Sequence, residues 1–316
     1  DVELYGVRRA RIFSAVGGRT DVVGEGIAGA YGQRLYAIET DGSIAWQFDA
    51  GRIAAVVVAE TAVLVSVRHG SVVALDADDG EHLARHHPAA WPGGRWLSDR
   101  TPTGRPAIGN GRIFAPFARY DTDREDSYFE EEVVAFDADG IVWRSSLGDV
   151  RFVDGVATIG ETVYVLTTDR PPGGVDPVSS RLVAFDAASG ERRWTQSVEG
   201  GLVSPLAAGD DAVTVAGSEV RTFEPDGELR WREAVFSGPP VIAGDRVYGR
   251  RTESGAVDTV VAVDLETGDP TASHTFDHQL NRAPVFAGGR AIARTLEYGR
   301  TEKGTERVTS RLHMLR

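Results

Sequence analysis

The chain has 316 residues and a net charge of −13, with 34 basic side chains against 47 acidic ones. That balance repels phosphates over the general surface, so no nucleic-acid partner is expected. Cysteine is absent, which removes disulfide and thiol chemistry, and no apolar run approaches the span of a transmembrane helix. Lys303 is the one lysine, and every other basic residue is arginine. An acidic, arginine-dominated, cysteine-free chain points to a halophilic archaeon, with a high-GC bacterium as the alternative. Strong acidity favours solubility where salt screens the carboxylates.

Asp1–Gly6 reads D-V-E-L-Y-G and echoes D-G-E-L-R-W at Asp226–Trp231. Next comes L-Y-A-I-E-T-D-G-S-I-A-W, ending at Trp46, and V-V-A-L-D-A-D-D-G-E-H-L-A, ending at Ala84. The pattern returns as V-V-A-F-D-A-D-G-I-V-W to Trp143, R-L-V-A-F-D-A-A-S-G-E-R-R-W to Trp194 and V-R-T-F-E-P-D-G-E-L-R-W to Trp231. V-V-A-V-D-L-E-T-G-D-P-T-A follows to Ala272, and a faint R-L-H-M-L-R ends at Arg316. Each copy is a short apolar strand, an acidic turn residue, a glycine and a returning strand. In the clearest copy Asp186 caps the turn, Gly190 supplies positive φ and Trp194 anchors the returning strand. Asp76, Asp137 and Asp264 hold the same place as Asp186, and Trp46, Trp143 and Trp231 the same place as Trp194.

The acidic landmarks Glu39, Asp76, Asp137, Asp186, Glu224 and Asp264 are 37, 61, 49, 38 and 40 residues apart, a period that matches four-stranded propeller blades. Two further strands precede most hairpins. The expectation is one all-β domain over residues 1–316, a seven-bladed β-propeller of four-stranded antiparallel blades. The N-terminal strand, patterned like a fourth strand, is expected to complete the last blade and close the ring. Numbering from Asp1 rather than a methionine is read as a trimmed leader or a cut from a longer protein.

The repeat resembles the PQQ-type (pyrroloquinoline quinone) β-propeller repeat, whose hallmark is A-x-D-x-x-[ST]-G-x-x-x-W. Ala184–Trp194 fits it at every position, and the resemblance covers essentially the whole chain. It implies an extracytoplasmic or cell-surface setting. It also implies two classes of function: a binding scaffold, as in outer-membrane assembly lipoproteins, or a dehydrogenase using PQQ and calcium. The alcohol dehydrogenases of this kind are longer, have eight blades and carry a vicinal disulfide, which a cysteine-free chain cannot form. The residues therefore favour a monomeric, non-enzymatic module for a protein partner or small surface ligand, with no cofactor. A sensor ectodomain of a longer chain is a further alternative.

The excursions from the repeat are Pro88–Gly104, Tyr120–Glu131, Asp169–Ser180, Arg250–Asp258 and Leu296–Thr309. By their place between strands all belong on one face, while the opposite connections are tight. Loops that vary on a rigid scaffold are where binding usually resides. Trp91, Arg95, Trp96 and Arg100 either form a stacking rim for a planar or sugar-like ligand or fold back onto the disk. Arg105, Asp154, Ser204, Ser237, Asn281 and Arg282 line the mouth of a central channel that holds either a polar ligand or water. Asp121, Asp123 and Asp126, with Glu125, are a weak calcium candidate, lacking the glycine and final glutamate of an EF-hand loop. His82, His86 and His87, and the pair His274 and His278, are read as surface residues. Four residues along a strand span about 13 Å, too far for one zinc. No nucleophile motif is present.

Overall fold

The computed structural model describes residues 2–8, 11–19, 31–38, 43–51, 53–58, 62–67, 71–86, 106–120, 129–137, 139–148, 152–169, 179–198, 206–253, 257–280, 285–287, 290–300 and 306–315. Every regular element among them is a strand. Six sheets contain four antiparallel strands in simple succession. The fourth sheet is representative, with strands Phe152–Ile159, Thr162–Asp169, Ser179–Asp186 and Arg192–Val198. Its third strand is apolar and mostly buried, whereas alternate residues of its fourth face solvent. That is the expected contrast between a covered strand and an edge strand.

The third and fourth strands pair in one recurrent register. Ala37 faces Trp46, Ala74 faces Ala84, Ala135 faces Trp143, Ala184 faces Trp194, Thr222 faces Trp231 and Ala262 faces Ala272. Directly after each of these third-strand residues the register shifts, so the same bulge recurs in all six sheets.

By its internal contacts the chain divides into two compact units: Asp1–Val156 with Asp186–Glu191, and Ala157–Phe185 with Arg192–Arg316. Within the first, the core passes from sheet to sheet. Leu35 and Trp46 of the first sheet pack with Val63 and Leu75 of the second, and Leu64 and Ala74 of the second pack with Ile113 and Phe136 of the third. The second unit is built the same way. Tyr164 and Leu182 meet Val213 and Phe223, Ala216 and Trp231 meet Val247 and Val263, and Val260 meets Leu280 and Ala293. One four-stranded sheet has two apolar faces and can bury them only against its neighbours.

The N-terminal strand differs from the expectation. Val2–Arg8 pairs with Arg11–Arg19 and forms the first strand of the first sheet, so it does not complete the last one. A hairpin closed by two residues costs far less loop entropy than pairing with a strand some three hundred residues away. The last sheet is also irregular. Gln279–Leu280 and Val285–Ala287 both pair on one side of Arg290–Arg300, and Glu306–Leu315 pairs on the other. Among the described residues it therefore has three rows of strand.

Candidate functional site

Each sheet has two ends, and they are built on different principles. At one end the third strand turns tightly into the fourth. Asp186 Oδ1 accepts the backbone N–H groups of Ala188 at 3.0 Å and Ser189 at 2.8 Å, and the Ser189 hydroxyl at 3.0 Å. Asp76, Asp137 and Asp264 accept the corresponding N–H groups of their own turns. Those N–H bonds hold the Asp264 carboxyl below its usual range, led by the one from Thr267.

Where a fourth strand carries tryptophan, the ring belongs to the turn of the next sheet. Trp46 Nε1 donates to the Ala77 carbonyl at 3.2 Å, Trp143 to Ala187 at 3.0 Å, Trp194 to Pro225 at 3.1 Å and Trp231 to Leu265 at 2.7 Å. The same rings lie against the turn glycines. A Cβ added to Gly80, Gly190, Gly227 or Gly268 would approach Trp46, Trp143, Trp194 or Trp231 to 2.7, 2.6, 2.9 and 2.8 Å. These glycines also have φ between +74° and +94°. Each is thus required twice, by backbone conformation and by the ring that fills the missing side chain's place. Of the two fourth strands without tryptophan, Ala84 fits the pattern: at Gly140 of the following turn a Cβ would meet nothing within 4 Å.

Charge reinforces this end. Arg230, with a side chain 9% exposed, binds Glu224 through Nε at 2.6 Å and Nη2 at 2.7 Å. It also lies 3.2 Å from both Asp211 and Glu266. The guanidinium draws the Glu224 carboxyl down, and the carboxylates push Arg230 up. Tyr164, whose hydroxyl donates to the Pro225 carbonyl, is raised by burial. Tyr164 to Pro225 and Arg230 to Glu266 cross from one sheet to the next, whereas Glu224 and Asp211 hold Arg230 within its own sheet.

At the opposite end the second and third strands run on as paired ribbons. Pairing extends to Tyr120 with Phe129, Glu253 with Val257 and Arg300 with Glu306. Much of what the sequence presents as loops at Tyr120–Glu131, Arg250–Asp258 and Leu296–Thr309 is therefore strand. Polar residues fall on both parities along these stretches, as in Glu130–Glu132 and Arg250–Glu253, which hides their period of two.

Buried polar side chains stand at this end of the third, fourth and sixth sheets, with different partners in each. Glu131 and Glu132 are buried in the third sheet. Thr168 bonds Ser180 at 3.2 Å, and Thr167 donates to the Arg181 carbonyl at 3.3 Å. The fullest case is Asp258, which is 1% exposed. Its Oδ1 accepts the Thr252 hydroxyl at 2.7 Å, and its Oδ2 accepts the Leu280 N–H at 2.6 Å with Arg250 Nη1 at 3.9 Å. Arg250 Nη1 also donates to the Leu280 carbonyl at 3.0 Å. Together they fix both sides of the Leu280 peptide, immediately before Asn281 and Arg282. Sequence reasoning missed Asp258 and Arg250 because they read as polar residues of a loop.

Trp46, Asp76, Asp137, Trp143, Asp186, Gly190, Trp194, Trp231 and Asp264 stand at the turn end. Asp154 lies on the first strand of the fourth sheet, and Ser237 begins the first strand of the sixth. Trp91, Arg95, Trp96, Arg100, Arg105, Ser204, Asn281 and Arg282 lie outside the described residues, as do Asp121, Asp123, Glu125, Asp126 and His87. His82 and His274 are exposed. The His274 ring stands edge-on to Phe276, which in turn meets His313. Among the described residues no three His, Cys, Asp or Glu side chains are grouped to hold a metal.

These repeated sheets, coupled ring to glycine, define the chain as an all-β protein of the β-propeller class. Solved structures agree in fold. BamB from Moraxella catarrhalis superposes with a TM-score of 0.54 at 15% identity, covering 92% of this chain and 88% of that one. A chain of the Mitotic Checkpoint Complex gives 0.58 at 11% identity, covering 92% and 82%, and the computationally designed Ika8 protein gives 0.51 at 13%, covering 96% and 94%. The profile of the PQQ-repeat family described as outer membrane protein assembly factor BamB matches residues 9–119, 130–223 and 216–310. The chain belongs to that family. No curated protein sequence matches it.

Proposed function

We propose that the chain is a non-enzymatic binding or scaffold module that holds a protein partner or small surface ligand at the ribbon-and-loop ends of its sheets. The observation that carries this reading is the contrast between ends: one device recurs at the turns, while ribbons and polar contacts differ from sheet to sheet. Asp258 and Arg250 hold the Leu280 peptide, next in sequence to Asn281 and Arg282, and supply the rigidity a preorganised site requires. In this reading Trp91, Arg95, Trp96 and Arg100 form a contact rim, and Arg105, Asp154, Asn281 and Arg282 line a polar opening. Residues 1–316 act as one domain, outside the cytoplasm, in keeping with the family's description as an outer-membrane assembly factor. The acidic, arginine-rich surface suits a halophilic source.

Photo-crosslinking residues placed at Tyr120, Asp169 and Glu253 are expected to trap bound protein from a native extract. The same residue at turn positions Asp78, Ser189 and Thr267 is expected to trap none, and the reverse distribution would contradict the reading. Purified protein supplied with PQQ and calcium is expected to show no dye-linked oxidation of alcohols or aldoses. Turnover would replace the scaffold with the dehydrogenase.

A further inference from the structure

The second and third sheets meet without the ring that couples other successive sheets. Ala84 stands opposite Ala74 in the register that sets Trp46, Trp143, Trp194 and Trp231 opposite their own partners. Its neighbours are reduced with it. Phe114, whose ring centroid lies 5.7 Å from that of Trp143, has Leu64 as its counterpart in the second sheet. Arg112, which donates to the Ala187 and Ala188 carbonyls of the following turn, has Ala62. The two sheets still pack, with Ala84 lying against the cluster of Leu64, Ala74, Ile113 and Phe136.

Three observations show that the ring's place is open. A Cβ at Gly140 would meet nothing within 4 Å, whereas at the four ring-bearing turns it would approach indole carbons to between 2.6 and 2.9 Å. Ala37, Ala135, Ala184 and Thr222, each beneath a ring, are 0% exposed, but Ala74 is 5% exposed. Leu83, Ile141 and Val142, next to Ala84 and Gly140 along the chain, are three of the five exposed large hydrophobic residues among those described. Arg230, in the place that Leu83 holds, reaches Glu266 of the following turn at 3.2 Å, so a side chain there borders the same space.

We propose that the junction of the second and third sheets binds one small, uncharged indole-class molecule in the space that a tryptophan fills at the other junctions. The chain itself specifies the ring, since Trp46, Trp143, Trp194 and Trp231 each set an indole there. Exchanging tryptophan for alanine opens an apolar space. Such a space of about 150 Å³, walled by aliphatic side chains, stays dry and accepts an aromatic ring. Leu83, Ile141 and Val142 give it an apolar rim, and the net charge of −13 disfavours anionic indoles. The site goes beyond the ribbon-end reading and lies at the opposite end of the sheets, so either can fail its test without touching the other.

The probe is indole, added to the unmodified protein. Saturable binding is expected, with slowed amide exchange over His82–Ala84 and Asp139–Val142 and no change over the ring-filled turn Asp186–Glu191. At tenfold excess over Kd the melting temperature should rise by about 2 °C. Indole-3-acetate, an anion with the same ring, is expected to bind about tenfold more weakly. Ala84→Trp supplies the ring from within, and should raise the melting temperature and abolish the response to indole. Trp194→Ala opens a filled junction, and should add a second indole site with protection over Glu224–Glu228. Should either variant fail to fold, the exchange map of the unmodified protein decides alone. Absence of saturable binding, protection confined to other strands, or an equal response to cyclohexylmethanol would overturn the proposal. A response to indole that survives in folded Ala84→Trp would overturn it as well.

Discussion

The turn ends of the sheets repeat one set of side chains, whereas the ribbon ends vary theirs: Glu131 and Asp258 hold one buried position in the third and sixth sheets, and Ser180 holds it in the fourth. At the turns of the second, third, fourth and sixth sheets an aspartate closes the hairpin, and at those of the second, fourth, fifth and sixth a glycine clears a space that the tryptophan of the preceding sheet fills. At the ribbons the third sheet buries Glu131 and Glu132, the fourth pairs Thr168 with Ser180, and the sixth buries Asp258 under Thr252 and Leu280. The difference teaches where assembly and variation reside. A contact that must recur between successive sheets is held to one chemistry, and the end released from that demand is free to diversify.

Substitutions can break the comparison in graded steps. Trp143→Ala removes a buried ring and its bond to the Ala187 carbonyl, and is expected to cost about 4 kcal/mol in denaturant unfolding. Gly190→Ala should cost about 3 kcal/mol, from left-handed strain plus overlap with the Trp143 ring. Gly244→Ala is the control. At φ of 62°, with nothing within 4 Å of its added Cβ, it should show the strain alone, about 1 kcal/mol. At the ribbon end, Asp258→Ala leaves the Leu280 N–H and Thr252 hydroxyl without their acceptor and should cost about 2 kcal/mol. Its exchange signature should be local to Thr252 and Leu280, whereas Trp143→Ala should loosen two successive sheets.

Asp186→Ala should cost about 1 kcal/mol, the usual loss for a carboxylate closing a turn. The smallest effect concerns pH. Asp264 titrates below its ordinary value in the folded chain, so its contribution is complete above about pH 4. It is lost as pH falls through the depressed value. Asp264→Asn should flatten the acid limb of a melting-temperature profile, and an unchanged limb would remove the turn carboxylates from the account.

The repeat was legible because its signals are local: Asp186, Gly190 and Trp194 lie within nine residues and each has its own turn or strand chemistry. The coupling between copies was not. Trp143 and Ala187 are 44 residues apart, and the glycine's need for positive φ already seemed to explain its presence. The same limit hid Asp258, whose buried partners lie at Thr252 and Leu280, and the ribbons, whose polar residues mask their pairing. The N-terminal strand misled for the opposite reason. Its pattern fits a fourth strand, but Arg11–Arg19 is a nearer partner.

The most direct test of the ring-and-glycine lock is a double-mutant cycle between Trp143→Ala and Gly190→Ala, measured by denaturant unfolding. With the ring gone, Gly190→Ala should cost only its backbone strain, giving a coupling of about 2 kcal/mol. Costs that add without coupling would mean that ring and glycine act independently, and the lock between sheets would not exist.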